Sequence, residues 1–177
     1  MKRYELLPVL LAGGILANLL SGCAVTVATV AGVAAYSLST ASPDNQHLTT
    51  LLRKNLPNSN LVTAGLGENL ILAGQVSNES ALTQAKILIA KQDEQLTVYT
   101  YAKIAPIETA TEIQHDLELS QQVNTLLDKS KLKSNGVVSN KAAYVLFDKD
   151  TTTADINQTA KNILTIPGVK SIVTVKP

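Results

Sequence analysis

The sequence predicts an α+β fold: two small α-β-β-α-β units in tandem, residues 48–105 and 106–177, behind an N-terminal segment, 1–22, and a linker, 23–47. Three observations lead there. The apolar pattern alternates between the 3.6-residue period of helices and the 2-residue period of strands, and the same order of alternation runs through the chain twice. The changes fall at punctuating residues, Pro57, Gly65, Gly67, Pro106, Pro167 and Gly168, where helices and strands end. The first 47 residues follow neither pattern, being strongly apolar and then polar. The alternative is a single α+β domain whose elements happen to alternate.

The N-terminal segment has the order of a secretory signal: Lys2 and Arg3, an apolar run from Leu6 to Leu20, then small residues. A run of 15 residues falls short of the roughly 20 that span a bilayer, and Pro8, Gly13 and Gly14 interrupt it. Leu20-Ser21-Gly22-Cys23 resembles the lipobox of bacterial lipoproteins at every position. That resemblance implies cleavage before Cys23 and acylation of its sulfur and new amino group, as by palmitate and related chains. Cys23 is the one cysteine and so has no intramolecular disulfide partner in an oxidising compartment. One acyl chain holds only marginally, at about 0.8 kcal/mol per buried methylene, so two or three make a durable anchor. Ala24 rather than Asp after the cysteine implies passage to the outer membrane, on its periplasmic side. Residues 24–36 read equally as a small-residue helix or a tether, and 37–47, polar and containing Pro43, read as linker.

In the first unit Leu48, Leu51, Leu52 and Leu56 mark one face of a short helix stopped by Pro57. Leu61 to Ala64 and Asn69 to Val76 read as strands, with Gly65-Leu66-Gly67-Glu68 as the reversal. Ser77 is the expected N-cap of a helix over 80–92 with Ala81, Ala85, Leu88 and Ile89 inward. A strand over 95–104 closes the unit. The second unit opens with a helix starting near Thr111 and carrying Leu119, Val123, Leu126 and Leu127. Strands follow over 136–139 and 142–147. A helix capped between Asp150 and Thr152 bears Ile156, Ala160, Ile163 and Leu164, and the turn Pro167-Gly168 leads into a last strand.

Asn69-Leu70-Ile71-Leu72-Ala73-Gly74-Gln75-Val76 before a helix, and Pro167-Gly168-Val169-Lys170-Ser171-Ile172-Val173 at the end, are similar to motifs of the BON-domain family. The chain resembles the envelope lipoproteins that carry two such units behind a lipobox. It departs in having Phe147 where the strand-ending glycine of the second unit would stand, and Asp93-Glu94-Gln95-Leu96 in place of the first unit's Gly-Val turn. The resemblance implies a part in keeping the outer membrane intact, with phospholipid head groups met through the first helix of the second unit. That helix carries Glu112, Asp116, Glu118 and Asp128, so Lys129, Lys131 and Lys133 just beyond it are the candidate lipid contacts. They also read as a solvated run at a helix C-terminus, where the helix dipole favours cations. The alternative partner is another envelope protein, for example of a secretion-type assembly, held at a sheet edge or apolar helix face.

Composition excludes other classes. Residues 23–177 carry 13 basic and 13 acidic side chains, with Arg53 the one arginine, too little clustered charge for nucleic acid. Trp is absent and Phe147 is the single Phe, so stacking platforms for single strands are missing. His47 in the linker and His115 on a helix read as exposed polar residues rather than bases beside a nucleophile. Asp148 with Asp150 and Asp93 with Glu94 fall in turns, and Gly65 and Gly67 precede no Gly-Lys-Ser/Thr. No catalytic residue, metal or cofactor is expected, and the chain reads as a non-enzyme.

Overall fold

The computed structural model of the chain describes residues 28–30, 33–35 and 43–177. Cys23 and the preceding Leu20, Ser21 and Gly22 lie outside the described residues. Within 24–36, the described residues form a two-stranded antiparallel ribbon, β1 (Ala28–Val30) with β2 (Val33–Ala35), in place of a small-residue helix. The order α-β-β-α-β then occurs twice. It runs α1 (Pro43–Asn55), β3 (Ser59–Leu66), β4 (Asn69–Val76), α2 (Glu79–Ala90) and β5 (Thr97–Thr100), with a short β6 (Lys103–Ile104). It runs again as α3 (Ala110–Ser130), β7 (Ser134–Ser139), β8 (Ala142–Phe147), α4 (Thr153–Leu164) and β9 (Ser171–Val175). The fold is α+β.

Several boundaries differ from the sequence expectation. α1 starts at Pro43, inside the stretch read as linker, because a proline in the first turn loses no helical hydrogen bond and brings a preset φ. His47 is therefore helical. β3 runs on through Gly65 and Leu66, leaving Gly67 and Glu68 to turn the chain, with Gly67 at φ +59°. Asn78, not Ser77, caps α2, its side chain accepting from the Ala81 N–H at 2.9 Å. The strand expected over 95–104 is broken, since Tyr101 and Ala102 both donate to the Leu72 carbonyl and a bulge parts β5 from β6. Thr152 caps α4, as its side chain accepts from Asp155 N–H. Leu164 is 46% exposed, because Ile156, Thr159 and Ile163 define the inward stripe and Leu164 lies about 100° around the helix from the last of them.

In each half the first two strands pair antiparallel and the last joins parallel, giving sheets ordered β3-β4-β5 and β7-β8-β9. Strand side chains alternate between faces, and here both faces are buried. Leu61, Leu70, Leu72 and Val76 pack against α1 and α2, while Val138, Ala143, Val145 and Phe147 pack against α3 and α4. The other faces meet each other: Val62, Ala64, Ile71 and Ala73 from one sheet form a third core with Val137, Tyr144, Leu146 and Val175 from the other. The result is four layers, helices outside and two sheets between. Asn135 Nδ2 adds a bond across the seam to the Gly65 carbonyl at 2.9 Å.

The outer edges of the sheets are treated unequally. Along β7, Asn124 of α3 accepts from Gly136 N–H at 3.1 Å and donates to its carbonyl at 2.8 Å, and Ser120 Oγ accepts from Val138 N–H at 2.8 Å. Along β3, Thr49 Oγ1 of α1 accepts from Thr63 N–H at 3.3 Å. Helix side chains thus stand in for the missing strand, which blunts an edge that would otherwise invite pairing. Among the described residues no strand pairs the outer edges of β5 and β9. Gly74, at φ +117°, is fixed by the close pass of β3, since a Cβ there would sit 1.9 Å from the Asn60 carbonyl oxygen. Phe147, at the corresponding point of the second half, is instead fully buried in the core under α3 and α4.

Candidate functional site

Polar side chains collect at the two ends of the layered body. At the first end an open cleft of about 430 Å³ joins the β3–β4 turn, at Leu66 and Gly67, to Phe147, Lys149 and Pro177. Asp148 N–H donates to the Lys133 carbonyl at 2.9 Å, which brings Lys133 to the same end. Lys129 lies in the last turn of α3 and Lys131 is its C-cap, in the left-handed region at φ 58°. All three lysines are exposed. The structure therefore brings together the basic residues singled out from the sequence, and adds Lys149, also exposed, on the adjoining loop. Lys176 lies close by, with Nζ donating to the Thr151 carbonyl at 2.8 Å. Asp128 precedes these lysines in sequence and Asp148 and Asp150 stand among them, so the end is densely charged rather than uniformly basic.

The N-terminus of α1 belongs to this end too. α1 runs antiparallel to β3, with Thr49 against Thr63 at 2.8 Å and the Leu56 carbonyl accepting from Ser59 Oγ at 2.7 Å. From Thr49 back to Pro43 the helix travels about 9 Å at 1.5 Å per residue. From Thr63 to Leu66 the strand travels about 10 Å. The N-terminus of α1 is consequently level with the β3–β4 turn.

The opposite end holds a group of side chains that the sequence did not single out. The segment joining the halves brings Glu108 to the seam, where Asn60 Nδ2 donates to it and also to Gln75 Oε1 at 3.0 Å. Asp116 of α3, 4% exposed, accepts from the Lys141 N–H at 3.2 Å in the β7–β8 turn, where Asn140 and Lys141 both have positive φ. Burial and then the neighbouring Asp116 charge push the Glu108 carboxyl above its ordinary range. Burial also raises Asp116, opposed by the turn N–H groups and by a hydrogen bond from Glu108. The Tyr144 hydroxyl is raised by burial and by both carboxyls, and its ring lies 5.4 Å from that of Tyr101. A clue was available in sequence, since Asp116, Ser120 and Asn124 are spaced at four residues along one face of α3 and all are buried. Such a polar stripe normally reads as the solvated face.

His47 and His115 are both exposed and stand on different helices, α1 and α3. Asp93 accepts from Gln95 N–H and Asp148 from Asp150 N–H, so each carboxylate shapes its own turn. Among the described residues no three His, Cys, Asp or Glu side chains converge as metal ligands. No described helix is long and apolar enough to cross a membrane. A second cleft, of about 270 Å³, lies between the end of α1 and the start of α2 and is lined by Asn55, Pro57, Ser77, Asn78 and Gln84 among others. No family model matches the chain, and no curated protein matches it in sequence.

Proposed function

We propose that this chain is an envelope lipoprotein with two BON-like units, exported, acylated at Cys23 and held at the periplasmic face of the outer membrane. Its body helps maintain the envelope by resting the lysine-bearing end on phospholipid head groups. The observation that carries the reading is the shared position of two features: the chain leading back towards Cys23 enters at the end that displays Lys129, Lys131, Lys133 and Lys149. Pro43 stands 20 positions after Cys23, so acylation at Cys23 keeps the body near the membrane surface at high effective concentration. The lipobox and the twice-repeated element order support the family reading. A lysine near an anionic surface is worth about 1 kcal/mol, and the interleaved aspartates offset part of that.

Flotation of a non-acylated Cys23→Ala form with vesicles measures the head-group contact apart from the anchor. Binding is expected to be stronger to anionic than to neutral vesicles, and to weaken about tenfold when Lys129, Lys131 and Lys133 are replaced together by Gln. Equal binding to both vesicle types would remove the phospholipid reading.

A second reading, an interaction module of the envelope or of a secretion-type assembly, is favoured by the edges of β5 and β9, which no strand pairs among the described residues. The edges of β3 and β7 are closed by helix side chains, whereas these two present backbone groups to which an extended partner segment could add as a strand. Crosslinking in intact cells tests it. A discrete protein adduct from cysteines placed at Thr100 and Thr174 is expected, and no adduct at either position counts against it.

A further inference from the structure

Asn135-Gly136 is the one Asn-Gly pair of the chain. Such a pair ordinarily marks a hairpin turn, yet here it lies inside β7, opposite Leu146 and Val145 of β8. Each residue has a structural reason to be there. A Cβ at Gly136 would stand 3.0 Å from the Val123 side chain and 3.3 Å from that of Leu127, so glycine lets α3 close on the strand. Asn135 supplies the bond across the seam to the Gly65 carbonyl. Side by side, the two carry a reactivity that neither role needs. The backbone nitrogen that follows an asparagine can attack the side-chain amide carbon, and glycine, with no Cβ and a free φ, hinders that attack least.

We propose that Asn135 is a conditional self-modification site, which converts to aspartate or isoaspartate in the unfolded chain and is kept intact in the fold, with Asn124 as its guard. In the first step Gly136 N gives its proton to water and bonds to Asn135 Cγ, the Cγ–Nδ2 bond breaks, and Nδ2 leaves as ammonia after taking up a proton. The product is a five-membered imide. Water then adds to one of its two carbonyl carbons and breaks that carbon's bond to nitrogen. Attack at Cγ gives aspartate, and attack at the main-chain carbon gives isoaspartate. The folded strand opposes the first step in three ways. Gly136 is buried, and its N–H donates to Asn124 Oδ1 at 3.1 Å and to Asn135 Oδ1 at 2.8 Å, so two acceptors hold the proton that must leave. The side-chain oxygen, rather than the carbon, therefore faces the nitrogen, which is not an attack geometry. Asn135 Nδ2, the leaving nitrogen, is tied to the Gly65 carbonyl at 2.9 Å. Conversion is also self-sealing. An ionised acid at this position has no donor for the Gly65 carbonyl, and isoaspartate adds a main-chain carbon within the β7 ladder, so a chain that has spent long unfolded is marked by a lost contact across the seam.

The full chain, held in detergent micelles at mildly alkaline pH with and without concentrated urea, is sampled over time and mapped by peptide mass spectrometry for conversion at Asn135. Where opening is fast, the rate follows the population of open chain, so conversion in urea should exceed that of the folded chain by about a hundredfold or more. Without urea, Asn124→Ala should convert about tenfold faster than the native chain, the order by which one lost buried hydrogen bond shifts an opening equilibrium. Ile163→Val, which weakens the core beneath α4 and leaves the bonds around Gly136 in place, should accelerate conversion less than Asn124→Ala does. Equal rates at Asn135 with and without urea would overturn the protection, and no conversion in urea would overturn the site. Equal acceleration by the two variants, or none in Asn124→Ala, would overturn the role of Asn124. Should Asn124→Ala not fold, the comparison with and without urea still decides the site.

Discussion

Asn124 illustrates how much one side chain carries here. It is a polar residue in the interior of a helix, where its intrinsic preference is poor, yet it is buried because it completes the unpaired edge of β7. Asn124→Ala leaves the Gly136 carbonyl without that donor, whereas the Gly136 N–H retains Asn135 Oδ1 at 2.8 Å. The loss expected in denaturant unfolding is about 2 kcal/mol, the cost of one buried unsatisfied acceptor together with the lost bond. A change below about 0.5 kcal/mol, the level of an ordinary surface substitution, would mean that the edge is satisfied in another way. The apolar residues were legible from periodicity: Leu52, Leu61, Ile89, Leu119, Val123 and Ile163 all fall where the pattern puts the core. Buried polar residues such as Asp116 and Asn124 were not, because a polar stripe at four-residue spacing normally reads as the solvated face, and the backbone groups they meet in β7 and the β7–β8 turn lie on other elements.

At the scale of elements, helix and strand types were legible from α1 onward, where the errors lie at boundaries, whereas the β1–β2 ribbon was not read as strand. Each has a local cause. Pro43 reads as a linker residue but suits a helix start. Ser77 and Asn78 are both good caps, and the choice rests on Asn78 having the extended backbone, at φ −163° and ψ 171°, that lets its side chain reach Ala81 N–H. Gly65 looks like a turn residue, yet it pairs with Leu70 inside a continuous ladder. The β5–β6 break depends on one carbonyl, that of Leu72, accepting twice, which no strand pattern encodes. The capping box of α3 was equally available in Thr109 and Glu112, whose side chains each bond the other's backbone N–H. It places the helix start just before Thr111, and holds Glu112 beside Glu108.

For the whole molecule, the element order was legible and the meeting of the two sheets was not. Alternating strands predict one buried face and one wet one, but Leu70 to Ala73 is a continuous apolar run and both of its faces are buried, one under helices and one against the other sheet. That run was the available signal for a doubly covered sheet. The four-layer arrangement also gives the body two unlike ends. One carries the lysines and receives the chain from the N-terminal side; the other carries Glu108 and Asp116. This polarity acquires a biological meaning only if the chain is attached at Cys23, since an anchored body then has a membrane-facing end and a distal one. Labelling growing cells with radioactive palmitate, followed by mass analysis of the protein from the membrane fraction, tests that attachment most directly. The account predicts label on a chain that begins at Cys23, with the mass of residues 23–177 plus acyl groups, and loss of label in Cys23→Ala. A chain that retains residues 1–22 and a free thiol at Cys23 would contradict it.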